Sequence, residues 1–262
     1  MHRTRWAILL VALIAMSVRA AAAQGAAPAQ TTQTIDWLDR GYFNLNIGFE
    51  TTSGELNDSV TFPLYGETGT KSVTQNVDSG SLFDFSVGAR VWRNVSVGIG
   101  YHRGSNDSEA SATASVPNPA VFGANRAVAV SAGDLQRVEQ AFHIQFGYMI
   151  PLSDVLSVHV TAGPSFFSLK QDVLSDLTFT ETGPPFTTVN TTPVITERSD
   201  SPVGINAGVD ITYQFYNSGD YKIGGGAFLR YAGASARIPV MENEVDTDVG
   251  GLQIGFGARI RF

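Results

Sequence analysis

From Tyr42 onward, apolar side chains recur at every second position in eight separate stretches. A period of two places one row of side chains on each face of an extended strand. In Tyr42 to Thr52, Phe43, Leu45, Ile47 and Phe49 oppose Asn44, Asn46, Gly48 and Glu50. Leu82 to Val91 sets Phe83, Phe85 and Val87 against Asp84, Ser86 and Arg90, and Val95 to Arg103 sets Val97 and Ile99 against Ser96 and His102. The same alternation runs through Gln136 to Ile150, Val155 to Leu169, Val203 to Tyr216, Tyr221 to Tyr231 and Gly251 to Phe262.

Short and long connections alternate strictly between these stretches. Trp92-Arg93-Asn94, Pro151 to Asp154 and Asn217 to Asp220 are tight and rich in turn formers. Residues 53–81, 104–135, 170–202 and 232–250 read as long polar loops, although Ser72 to Val77 and Ala127 to Val130 hint that strands extend into them. Eight strands with this rhythm predict an all-β fold, an eight-stranded antiparallel up-and-down transmembrane β-barrel, with both termini on one side. The barrel spans 41–262, with no second domain.

Ahead of it, Arg3 and Arg5, an apolar run from Trp6 to Val18 and the small residues Ala21-Ala22-Ala23 have the three parts of a secretory leader. The expectation is a signal peptide over 1–23, cleavage after Ala23, and a disordered leader over 24–40. Loss of Arg3, Arg5 and Arg19 lowers Lys and Arg from 17 to 14 against 24 Asp and Glu, a net charge of −10. That excludes a basic face for nucleic acid. There are no cysteines, so an exported fold must be held by other means than disulfides. Lys71, Lys170 and Lys222 are the only lysines, too few for an ordinary soluble surface.

Alternation alone does not say which face is outside, because a soluble lipocalin-type barrel also alternates. The polar rows are Gly, Ser, Asn and Gln with mixed charges, which suits a narrow interior. Aromatic residues stand near strand ends, where interfacial girdles need rings: Tyr42, Phe43, Phe49, Tyr101, Tyr148, Phe166, Tyr213, Phe215, Tyr216, Tyr221, Tyr231 and Phe262. The apolar rows are therefore expected to face lipid.

The chain ends Gly257-Ala258-Arg259-Ile260-Arg261-Phe262. This resembles the terminal assembly signal of outer-membrane barrels, with Gly257, Ile260 and Phe262 at its characteristic positions and Gly255 in place of the usual polar residue. Val160 to Phe166 is similar to strand segments of the same group. Over 40–262 the chain resembles the small barrels that include the OmpA transmembrane domain, OmpX, OmpW and opacity-type proteins. The resemblance implies a bacterial outer-membrane location and, as partners, outer-membrane lipid, lipopolysaccharide and the barrel-assembly machinery. It implies a monomer and leaves the surface ligand open.

Candidate chemistry is confined to the polar rows. Glu50, Asp84, Glu139 and Asp210 share them with Arg90, Lys222, Arg230, Arg259 and Arg261. Buried charges are tolerable when paired, so a structural network is expected, with a gate of exchanging pairs as the sharper alternative. His102, His143 and His159 have the same parity, without metal-site spacing. Ser157, His159 and Glu139 could be drawn as a hydrolase triad. Gly224-Gly225-Gly226 opens no helix and reads as close strand packing. Glu242 to Asp248 is acidic without the spacing of an EF-hand. No catalytic residue, metal or cofactor is expected. The leading expectation is a structural or surface-interaction barrel acting through its outer loops. A narrow gated pore is the alternative, and a lipid A-modifying enzyme a third class.

Overall fold

The computed structural model describes residues 38–52 and 54–262. The expected leader over 1–23 and most of 24–40 lie outside the described residues. Among the described residues eleven strands form one antiparallel sheet: β1 (Gly41–Thr51), β2 (Gly54–Leu64), β3 (Glu67–Val77), β4 (Gly80–Trp92), β5 (Val95–Val116), β6 (Arg126–Pro151), β7 (Leu156–Glu181), β8 (Val189–Asp200), β9 (Val203–Asn217), β10 (Lys222–Pro239) and β11 (Glu244–Arg261).

Eight of them close a ring. β1 pairs with β4, then β5, β6, β7, β9, β10 and β11 follow in turn, and β11 pairs back with β1 from Tyr42↔Arg261 to Thr51↔Leu252. These eight are the stretches that the period of two marks. The seam is sewn at its lower end, where the Arg40 and Gly41 amides donate to the Phe262 carbonyl at 2.6 and 2.7 Å. The three short turns lie at this same end.

The long connections are not loops, which corrects the expectation from their polarity. β5, β6, β7, β10 and β11 run on past the ring's apolar rows, the β2–β3 hairpin adds to the edge of β5, and β8 adds to β7. At roughly 3.3 Å per residue and a tilt near 45°, a strand of the length of β6 rises on the order of 60 Å, more than twice the roughly 25 Å height of a membrane-facing band. The barrel thus has a lower and an upper storey.

The side-chain pattern inverts between them. Along β5 the outward residues begin Val97, Ile99 and Tyr101, then become Arg103, Ser105, Asp107, Glu109, Ser111 and Thr113. The inward residues begin Ser96, Gly98, Gly100 and His102, then become Ala110, Ala112, Ala114 and Val116. Lower down the exterior is greasy and the interior polar; higher up the reverse holds. The upper interior is an apolar core in which Val73, Leu135, Leu174, Leu177 and Val240 pack with the β5 alanines. A second cluster of Leu56, Phe167, Leu169, Val173, Ile238 and Val249 lies against it. Alanine and valine alternating with serine and threonine have little mean hydropathy, so this core is faint in the sequence.

Two seams of the upper storey are closed by side chains rather than ladders. Asp58 on β2 accepts from the Asn243 side chain at 2.7 Å and the Met241 amide at 3.0 Å. Asp200, ending β8, accepts from the Arg237 amide at 2.8 Å. Burial acts to raise the Asp58 carboxyl, but the bonds from Asn243, Met241 and Ser59 together hold it below its ordinary 3.8.

The two storeys should respond oppositely to charge at one face of one strand. Ile99→Arg should destabilise the barrel in lipid vesicles by about 2–4 kcal/mol, whereas Thr113→Arg should be near neutral, as read by urea unfolding. The Asp58 clasp, with its depressed carboxyl, stands at neutral pH and is lost only as pH falls through the folded-state value, below 3.8. Protection of the Met241 and Asn243 amides from hydrogen exchange, corrected for intrinsic rates, should drop there and nowhere between pH 5 and 8.

Candidate functional site: a filled and charge-paired interior

Most of the polar side chains that the strand parity turns inward meet across the lower barrel. At the lowest level Arg261 donates to Asn44 at 2.7 Å and to Thr212 at 3.1 Å, and its guanidinium lies 5.3 Å from the Tyr42 ring. Tyr42 meets His159 edge to face at 5.0 Å, and His159 shares a hydrogen bond of 2.9 Å with Ser96. Tyr42 is 1% exposed, so it belongs to the interior and not to the aromatic girdle expected of it. Its parity, opposite to Phe43, is the signal that shows this.

One level up, Arg259 grips Asp210 with two bonds, at 3.1 Å and 2.5 Å, and donates to Asn46 at 2.6 Å. Asn46 donates to Asp84 at 2.7 Å. Asp84 also lies 2.7 Å from Arg230, a charge contact without hydrogen-bond alignment. Gly226 makes room here: a Cβ would meet the Arg259 Nε at 2.8 Å. Gly224 sits where the β9–β10 register shifts, and a Cβ there would come 2.3 Å from the Tyr213 carbonyl oxygen. Gly224 and Gly226 are thus packing features, whereas Gly225 between them has room for a Cβ.

Higher again, Arg230 donates to Gln253 at 2.6 Å, and Gln253 donates to Glu50 at 3.1 Å. His102 stands 3.7 Å from Glu50 and joins His143 by a ring-to-ring hydrogen bond of 2.7 Å. His143 continues to Ser165 at 2.7 Å. At the top of the network Glu139 accepts from Arg137 and from the Gly250 amide, both at 2.6 Å. Arg137 also donates to Gln171 and to the Asp248 carbonyl, each at 2.7 Å.

The structure therefore brings together Glu50, Asp84, Arg230 and Gln253 as one chain, Asp210, Arg259 and Arg261 as another linked to it through Asn46, and Glu139 as a third level. Lys222 stands apart at the lower rim, 2.8 Å from Asp39, a partner that the alternating stretches do not include. Arg90 is half-buried at that rim, its amide donating to the Arg40 carbonyl at 2.8 Å. Arg137, a charged residue of the same inward row as Glu139, is not among the expected members, and the neutral Gln253, Asn44, Asn46 and Gln171 are ones that a charge-based reading passes over. Parity marks all of them but Gln171, which falls in a stretch read as a loop, and only a cross-section shows that neutral amides link the charged levels. The triad drawn from Ser157, His159 and Glu139 is not assembled. His159 is engaged with Ser96 near the lower rim, while Glu139 is engaged with Arg137 and Gly250 at the top. In the acidic tract Asp246 pairs with Arg237 at 3.2 Å. Among the described residues no group of three or more His, Cys, Asp or Glu could hold a metal ion.

The interior is full. Arg137, Arg259 and Arg261 are each at most 1% exposed. A gap beside Asn46, Asp84, Asp210 and Arg230 has a volume of about 30 Å³ and one between Glu50 and Glu139 about 10 Å³, room for single waters. The apolar core of the upper storey lies above them. At the crown, Lys71 reaches Asp176 at 2.6 Å and stands 5.1 Å from both the Phe62 and Phe179 rings. Arg126 pairs with Glu181 and donates to the Phe186 and Pro117 carbonyls, tying the β5–β6 end to the β7–β8 end, and the Tyr65 hydroxyl at the β2–β3 turn donates to Glu181 at 3.1 Å.

The terminal signal residues have structural places as well. Gly257 faces β1 so closely that a Cβ would lie 1.8 Å from the Leu45 carbonyl oxygen. Ile260 is on the outward row, and the Phe262 ring covers Gly41.

No protein-family model matches the chain, and no curated protein matches it. Among solved structures it is similar to Neisserial surface protein A at 10% identity, with 85% of this chain and 97% of that one covered and a TM-score of 0.40. It is likewise similar to Ail, the attachment invasion locus protein of Yersinia pestis (10%, 84% and 99%, TM-score 0.36), and to the outer membrane protease OmpT from Escherichia coli (10%, 88% and 97%, TM-score 0.35). The class rests on this chain's own closed ring, greasy lower exterior and charge-paired lower interior. By these it is a small β-barrel of the outer-membrane type.

Removing one side of the best-built pair should cost most. Asp210→Ala leaves Arg259 buried and unmatched and should destabilise the barrel by about 3–5 kcal/mol. Asp210→Ala with Arg259→Met should recover much of the loss, measured by urea unfolding of the same vesicle-inserted protein.

Proposed function

We propose that the chain is exported through its N-terminal leader, is inserted by the barrel-assembly machinery as a monomer in the outer membrane, and serves as a rigid surface scaffold. Its lower storey anchors it among outer-membrane lipids. Its upper storey carries a polar wall and three knitted hairpin ends outward to meet a surface ligand. The observation that carries this reading is the inversion along single strands: Ile99 outside and His102 inside, then Thr113 outside and Ala112 inside. A continuous exterior row that is apolar for one band and polar beyond it fits a wall passing from hydrocarbon into water.

The contact surface is a firm one. Loops anchored on a scaffold carry function because their ends are fixed, and here the connections are themselves paired strands around a packed core. Phe122, 84% exposed, and Tyr65, 52% exposed, stand at the ends of two hairpins and offer rings for a partner. An open pore is disfavoured by the stacked guanidinium groups and by the apolar core above them.

Single cysteines test the topology. On intact cells, Thr113→Cys should react with a membrane-impermeant maleimide and Ile99→Cys should not, while both proteins keep a heat-modifiable gel shift. Equal labelling at the two positions would contradict the anchoring scheme. In planar bilayers the protein should be silent. A steady conductance that changes with Arg230→Glu would overturn the scaffold reading in favour of a gate.

A further inference from the structure

On the outside of the ring, where the apolar belt gives way to the polar wall, a groove of about 480 Å³ runs across β1, β4, β5 and β11. Ile47, Phe49, Phe83 and Phe256 line it, all on the outward rows, exposed by 45 to 65%. Ser81 and Ser105 stand opposite each other at its upper edge, and Arg103 pairs across from Phe83 on the same face. Arg103 is exposed, and no carboxylate among the described residues pairs with it. Most other cations are engaged: Arg126, Arg137, Arg230 and Arg259 have carboxylates at bonding distance, and Lys71, Lys222 and Arg237 as well. The nearest outward acid up β5 is Asp107, four residues away or about 13 Å along the strand.

We propose that this groove is a binding site for one molecule of the phosphorylated, acylated glycolipid of the outer leaflet. One acyl chain lies along Phe49, Phe83 and Phe256, and a glycolipid phosphate is held by the Arg103 guanidinium with hydroxyl bonds from Ser81 and Ser105. Three facts place this occupant here. The cation is unmatched and planar, suited to two bonds with a phosphate. It sits at the level where the exterior turns from apolar to polar, which is where a headgroup lies. Two hydroxyls beside it supply bonds to sugar or phosphate oxygens. The site rests on the membrane reading given above.

The test uses the full mature barrel in detergent micelles and native mass spectrometry. The probes are bis-phosphorylated lipid A, the same lipid stripped of phosphate, and dioleoylphosphatidylglycerol. The protein should retain one lipid A, and Arg103→Gln should weaken retention roughly tenfold or more. Arg103→Lys should recover part of it. Arg40→Gln, beneath a separate groove at the lower rim, should change nothing. Unchanged retention in Arg103→Gln, equal retention of the stripped lipid, or equal loss in Arg40→Gln would overturn the site. Retention of phosphatidylglycerol as tight as that of lipid A would overturn the glycolipid as its occupant. A heat-modifiable shift in both variants shows that the barrel itself stands. Its absence in the unsubstituted protein would instead defeat the membrane reading.

Discussion

A backbone amide placed in hydrocarbon has no water to turn to, and leaving it unpaired costs several kcal/mol. This requirement governs the lower storey. A sheet meets it only by having no edge, so β11 must return to β1, and the pairing of Tyr42 with Arg261 is what the rest depends on. The closing bonds fall on the last residue, whose carbonyl takes two amides of the incoming strand. The glycines at the seam follow from the same need. Gly48, Gly255 and Gly257 lie where the β1 and β11 backbones approach too closely for a Cβ.

Closure at eight strands fixes the bore, which is wide enough for side chains and little more. That explains the composition of the inward rows. Small residues such as Gly98, Gly100 and Ser96 leave space that larger side chains from nearby strands fill, Tyr42 at Gly98, Gln145 at Gly100 and His159 at Ser96. Arg259 extends over Gly226, and Arg261 over Thr212 toward Asn44. The guanidinium groups are dehydrated, and each is matched by a carboxylate, an amide oxygen or a hydroxyl, as buried charges must be. The amide links matter as much as the ion pairs, because Asn46 and Gln253 connect levels that carry different charges.

Beyond the belt, water replaces lipid outside and the logic reverses. The outward row becomes Ser, Thr, Asp and Glu, and the inward row becomes Ala, Val and Leu. The ring need no longer be closed by ladders, since water can satisfy an exposed edge. Two seams therefore remain, clasped by Asp58 and Asp200. Lys71 between Phe62 and Phe179, and Arg126 on Glu181, finish the crown. The result is a barrel of two storeys of opposite polarity, with an apolar groove and Arg103 at the boundary between them.

The period of two, read from the chain alone, determined the eight ring strands, their order of short and long connections, and which side chains share an interior face. Those are consequences of local backbone geometry, in which alternate side chains must point opposite ways. Tyr42 is expected in the girdle for its aromatic character, and its burial shows that parity with Asn44 and Asn46 outweighs residue type. What the tertiary structure decided was everything that depends on residues far apart in sequence. It set which inward groups stand at one height, so that Arg259 meets Asp210 while Lys222 meets Asp39 and His159 never meets Glu139. It also turned the long polar connections into strands, because alanine beside serine gains its partners only when β3, β5, β6 and β7 surround a common core. Local pattern states which way a side chain faces, and only the closed ring states what it faces.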